Sequence, residues 1–281
     1  MHESIKISGQ YSAPRQTEAA IRALRDSAPE RVLVVKGDLL GQRWWEAVQA
    51  EGVPSALWLY DELSNMSYSS ETLKSIAKVA SYSEPDTVAL RESGIDAQYV
   101  PLGFDSLLRY TQKPDSQLSF VGARYPAREN YLQKISMLGV PVKAYGRAWS
   151  RRPIDIVRSG FHRHPGFEVG QELDRSTCYG VMAGSVATIN LHAGHYGFNM
   201  RAFEAPGVGG LQLIDRLDIQ KFFDVGTEAL VFSHEEEVAG LFHRAVRDTA
   251  WAERIRVAGQ RRALAEHTLV HRMGVLESLW D

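Results

Sequence analysis

Short, largely apolar runs recur along the chain at Val32 to Val35, Ala56 to Tyr60, Val142 to Tyr145, Ala187 to Leu191, Leu211 to Ile214 and Ala229 to Phe232. Continuous apolar runs of this length predict strands buried on both faces, the signature of parallel sheets joined by crossover helices. Helical spacing appears between and after them. Val238, Leu241, Phe242, Ala245 and Val246 fall on one stripe, and Leu269, Met273, Leu276 and Trp280 form a second. Ahead of the first run the pattern predicts a short strand over Ile5 to Ile7 and a helix around Thr17 to Leu24. The fold class is therefore α/β.

The pattern breaks near the middle. Strand-like Ala97 to Val100 is followed by Pro101, Gly103 and a polar stretch containing Pro114, and a fresh strand then begins at Leu118. This places a linker at residues 104–116, between an N-terminal domain over residues 1–103 and a C-terminal domain over residues 117–281. The last apolar stripe is expected to pack back on the first domain. In open parallel sheets ligands sit at the carboxyl ends of strands. The loops after Tyr60, Val121, Tyr145 and Leu191 are accordingly where chemistry is sought.

Bulk composition narrows the classes. In 281 residues, 32 basic side chains face 34 acidic ones, which excludes wholesale electrostatic capture of nucleic acid or an anionic membrane. Cys178 is the single cysteine, so no intrachain disulfide and no cysteine-based zinc cage forms; it reads as a small buried hydrophobe. No apolar run reaches the roughly 20 residues of a membrane helix, and Met1 to Ser8 lacks a signal-type apolar core. The expected address is the cytoplasm.

The stretch from Leu191 to Gly210 reads as strand end, glycine-rich loop, short helix and glycine turn, followed by another strand. Amide N–H groups around Phe198 and Asn199 suit a diphosphate at a helix start. Arg201 and Glu204 stand three apart and share a helix face. A carboxylate there accepts hydrogen bonds from a ribose diol, and the arginine meets phosphate. Spacing alone leaves this reading level with a plain surface ion pair on a glycine-capped helix.

The segment Phe198-Asn199-Met200-Arg201-Ala202-Phe203-Glu204-Ala205-Pro206, with Gly209-Gly210 and a strand ending in Asp215, resembles the donor-site segment of the CgeB-type (spore-maturation-like) glycosyltransferases. Val34 to Asp38, Ala56 to Asp61, Val100 to Asp105, Ser119 to Arg128 and Ala265 to Thr268 resemble that family in the same order. The resemblance implies a GT-B-like pair of Rossmann-like domains facing a central cleft. It also implies a nucleoside diphosphate sugar as donor, such as a UDP-sugar, and transfer to a hydroxyl acceptor with no metal or other cofactor. Carried over, Glu204 holds the ribose, and Phe198, Asn199 and Arg201 hold the diphosphate. Gly122 and Arg124 line the donor loop, and Gly146 opens the next strand-end loop toward the base, with Trp149 facing either the base or the core. Tyr196 stands where many retaining relatives of this fold have a second glutamate, so the stereochemical outcome is left open.

Asp61, His192 and His195 are the candidates for a catalytic base, each against a bland alternative as a turn cap or a backbone partner. A basic stretch, Arg147, Arg151, Arg152, Arg158, His162, Arg163 and His164 with Phe161 and Phe167 interleaved, reads as a solvated face or as a track for an anionic acceptor. It is the sole support for an alternative, the glycosylation of modified bases in DNA. A second alternative is a non-catalytic nucleotide-sugar binder with a shortened acceptor side.

Overall fold

The computed structural model describes residues 13–160, 163–192, 194 and 196–280. The expected strand over Ile5 to Ile7, together with Phe161, His162 and His195, lies outside the described residues. The chain forms two compact α/β units, as the sequence pattern predicts. One comprises residues 1–102, 195–198 and 272–281; the other comprises residues 103–194 and 199–271.

The first unit is a parallel sheet in sequential order. Its strands are β1 (Val32–Val35), β2 (Ser55–Leu59), β3 (Lys78–Ser81) and β4 (Ala97–Tyr99). Helices α1 (Ala13–Ser27), α2 (Gly41–Ala50), α3 (Ser70–Ser75) and α4 (Glu84–Glu92) supply the crossovers. The helix starts follow local chemistry: the Ser69 hydroxyl accepts the Thr72 N–H, and the Ser83 hydroxyl accepts the Asp86 N–H just ahead of Pro85. Leu57, Leu59 and Val79 are fully buried against Trp44, Trp45 and Val48 of α2. Each side chain of that size contributes about 1.5–3 kcal/mol through removal from water. β3 is absent from the sequence reading because Lys78-Val79-Ala80-Ser81 carries too little apolar signal to register.

The second unit holds six parallel strands in the order β10-β9-β8-β5-β6-β7, with β5 (Leu118–Val121), β6 (Val142–Tyr145), β7 (Glu168–Gly170), β8 (Ala187–Asn190), β9 (Gln212–Ile214) and β10 (Leu230–Val231). From β5 the chain winds outward through β6 and β7, then returns to lay β8 on the opposite edge of β5. That reversal is a topological switch point, where the loops after β5 and β8 diverge and leave a crevice. The connecting helices are α5 (Pro126–Met137), α6 (Pro153–Ser159), α7 (Arg175–Gly184), α8 (Arg201–Gly207), α9 (Glu235–Arg247) and α10 (Thr249–Glu266). The helix α11 (Leu269–Glu277) starts in the second unit and ends in the first.

Residues 103–117 hold no helix and no strand beyond one bridge from Phe104 to Thr268, yet they are fastened along their length. The Lys113 and Asp115 amides donate to the Gly180 and Gly184 carbonyls of α7. A Cβ on Gly180 or Gly184 would lie 2.2 Å from the Thr111 oxygen or 1.9 Å from the Lys113 oxygen, so only glycine lets this strap close on the helix. Cys178, on the same helix, is buried as expected.

Candidate functional site

At the switch point, the β8 loop leads into α8. Glu204 on that helix is 1% exposed, and a carboxylate so deeply buried requires partners. It has three. Arg201, one turn earlier, closes an ion pair with Glu204 Oε2. Tyr179 of α7 donates its hydroxyl to Oε1 at 3.4 Å while accepting the Asp105 amide at 2.9 Å. Arg175 brings its Nε to 4.0 Å from the same oxygen. The Asp174 side chain caps α7 through the Thr177 amide, which places Arg175 at the helix's first turn beside Glu204.

Two guanidiniums face the one buried carboxylate, with the acidic Asp174 and Asp105 close by. Burial alone pulls the Arg201 pKa down, but Glu204 outweighs it and holds the group above its ordinary value, firmly charged. Burial raises the Cys178 thiol, which therefore stays neutral beside the pair. Arg201 Nε also reaches the Val121 carbonyl at the end of β5, at 3.4 Å, so the pair bridges both sides of the switch point. The ion pair that spacing allowed is present and part-buried, with Glu204 covered and the Arg201 side chain 27% exposed.

The family model of the glycosyl transferase-like proteins matches residues 124–278, a span that contains this whole constellation. The chain belongs to that family. Among solved structures, this glycosyltransferase superposes on sucrose-phosphate synthase from Thermosynechococcus elongatus with a TM-score of 0.67 at 13% identity, covering 98% of this chain and 79% of that one. The Anabaena protein HepE in complex with UDP-glucose gives 0.65 at 15% identity, covering 94% and 81%. A glycosyltransferase from Rickettsia africae gives 0.63 at 12% identity, covering 100% and 84%. These likenesses establish the fold, a GT-B-like pair of parallel-sheet units. No curated protein matches the chain.

The other sequence-named residues of this glycosyltransferase fall into distinct environments. Gly122 and Gly146 bring the β5 and β6 loops into backbone contact: a Cβ on Gly146, at φ 152°, would sit 2.6 Å from the Gly122 oxygen. Trp149 is fully buried and donates its indole N–H to that same oxygen at 2.9 Å, so it is core. Asn199 exchanges two side-chain hydrogen bonds with Asn190, at 2.9 and 3.2 Å, which ties the start of α8 to the end of β8. Phe198 is buried.

Arg124 requires a correction. Its guanidinium turns into the unit, where Glu129 and the Ala148 and Arg163 carbonyls take its N–H groups and the Trp149 ring lies 5.1 Å away. Those bonds fix the β5 loop, and the arginine beside Glu204 that the sequence reading missed is Arg175. Of the basic stretch, Arg147 pairs with Glu172 at 2.8 Å and Phe167 is core.

Of the candidate bases, His192 is 2% exposed and clamped by Asp215, whose oxygens meet its amide N and its Nδ1, both at 2.8 Å. Those bonds tie the ends of β8 and β9 together through His192. Asp61, at the end of β2, keeps an open carboxylate. Lys36 pairs with it at 2.9 Å, and Asn65 and the Glu62 amide donate to it. Partial burial pushes the Asp61 pKa up, but these donors prevail and hold it below the ordinary carboxylate value. Lys36 itself sits in the left-handed region at φ 65°, a strained position for a non-glycine residue, with its carbonyl held by the Tyr68 hydroxyl at 2.8 Å. Among the described residues, no group of three or more His, Cys, Asp or Glu is arranged to hold a metal ion, and no helix is long and apolar enough to cross a membrane.

Proposed function

We propose that this glycosyltransferase moves a hexose-type sugar from a UDP-sugar to a hydroxyl acceptor without a bound metal, and that within its family it belongs to the CgeB-type branch. The observation that carries the donor reading is the pairing of buried Glu204 with Arg201 and Arg175 at the switch point. HepE, of like fold, was crystallised with UDP-glucose, which favours uracil as the base. Glu204 accepts the ribose hydroxyls, and Arg201 and Arg175 face the diphosphate.

In the reaction, the acceptor oxygen attacks the anomeric carbon as the bond from that carbon to the diphosphate oxygen breaks. The bonding pair leaves on UDP, where the two arginines meet the growing negative charge. Removing one such electrostatic group commonly costs about 2.7–4 kcal/mol in the barrier. We assign the acceptor proton to Asp61 as the general base.

Incubation with a panel of UDP-sugars in the presence of a chelator tests this directly. Slow release of UDP that persists in the chelator and falls at least tenfold in Arg201→Ala is expected. Turnover that requires added Mg²⁺ or Mn²⁺ would refute metal independence, and no UDP release from any sugar would refute the donor reading.

A further inference from the structure

Glu62 follows Asp61 at the end of β2 and is buried, with 6% of its surface exposed. Its Oε1 accepts two consecutive backbone amides of the glycine loop, Tyr196 N–H and Gly197 N–H, the latter at 3.4 Å. The same loop is fitted against a second strand end. A Cβ on Gly197 would lie 2.3 Å from Tyr82 Cε2, so the backbone there lies flush on the Tyr82 ring, just after β3. Residues 196–198 thus belong with the first unit although the sequence sets them between β8 and α8. The Tyr196 side chain stays 66% exposed, so the backbone is what is held.

A buried carboxylate that spends one oxygen on two main-chain donors fixes where those donors lie. The chain then runs through Asn199 and Met200 directly into Arg201. We infer that Glu62 is a positioning residue for nucleotide binding: by clamping the glycine loop it sets the entry of α8 and thereby the placement of Asn199 and Arg201. This rests on the donor reading above. Sequence reasoning missed Glu62 because an acidic residue after a strand carries no local sign of a partner 134 residues away.

The test compares Glu62→Ala with Glu62→Gln, whose amide oxygen preserves an acceptor. Calorimetry with UDP is expected to show about tenfold weaker binding in Glu62→Ala and a change within about threefold in Glu62→Gln, as expected for hydrogen bonds to a charged group. Amide hydrogen exchange at Tyr196 and Gly197 should quicken in the alanine variant only. Should Glu62→Ala fold poorly, Gly197→Ala displaces the same loop from Tyr82 and should weaken UDP similarly. Lowered melting temperature with wild-type UDP affinity would reduce Glu62 to packing and overturn the inference. So would tighter UDP binding in Glu62→Ala, which would mean that the carboxylate competes with the donor for these amides. If the wild-type protein binds no UDP, the donor reading itself fails, and unchanged exchange at Tyr196 and Gly197 would separately refute the clamp.

Discussion

Glu204 and Arg201 are mutually dependent, and this changes what their removal costs. A surface pair three residues apart contributes well under 1 kcal/mol, but Glu204 is buried and Arg201 is part-buried. Glu204→Ala should therefore destabilise the fold by about 2–4 kcal/mol, because it leaves a charged guanidinium in a low-dielectric site. Glu204→Gln should cost less, and urea denaturation measures both. Asp61 yields a pH prediction. Its folded pKa is depressed, so the charged form persists and its stabilising pairs hold above the unfolded carboxylate value, failing only as pH falls below it. Removing the Lys36 amine in Lys36→Met should raise that pKa. The acid limb of the pH–rate profile should then move to higher pH than in the wild type, and an unmoved limb would argue against Asp61 as base. The Arg201–Glu204 pair was legible in sequence because three-residue spacing within a helix brings side chains together regardless of tertiary context. Arg175 and Glu62 were not legible, since their partners come from distant segments and only the folded chain supplies them.

At the scale of elements, apolar runs foretold most strands, but β3 and β7 escaped because Lys78 and Glu168 dilute short runs whose pairing is decided by their neighbours in the sheet. The linker expected at residues 104–116 illustrates another limit of local reading. Proline and polar residues signalled correctly that no regular element forms there, but could not signal that the stretch lies on α7. The glycines of that helix provide the test. Gly184→Ala drives a methyl into the Lys113 carbonyl and should cost at least about 1–3 kcal/mol despite alanine's better helix propensity, whereas Gly240→Ala on α9, with open space around it, should be neutral or stabilising. Thermal unfolding of the two variants side by side reads the difference. Equal behaviour would mean that the strap yields easily.

Across the whole molecule, six parallel strands with a switch point between β5 and β8 account for why a short helix, poor in length and carrying Pro206, bears the constellation. The sheet brings α7 and α8 to the ends of β5 and β8 with two arginines and a carboxylate, and the family match spans the same residues. The claim that this constellation is a nucleoside diphosphate site is tested most directly by calorimetric titration of UDP and of uridine into the wild type and Arg201→Ala. The account predicts that UDP binds the wild type and weakens about ten- to hundredfold in Arg201→Ala, a larger factor than the same change costs uridine. Equal UDP affinity in the two proteins, or no UDP binding to either, would contradict it.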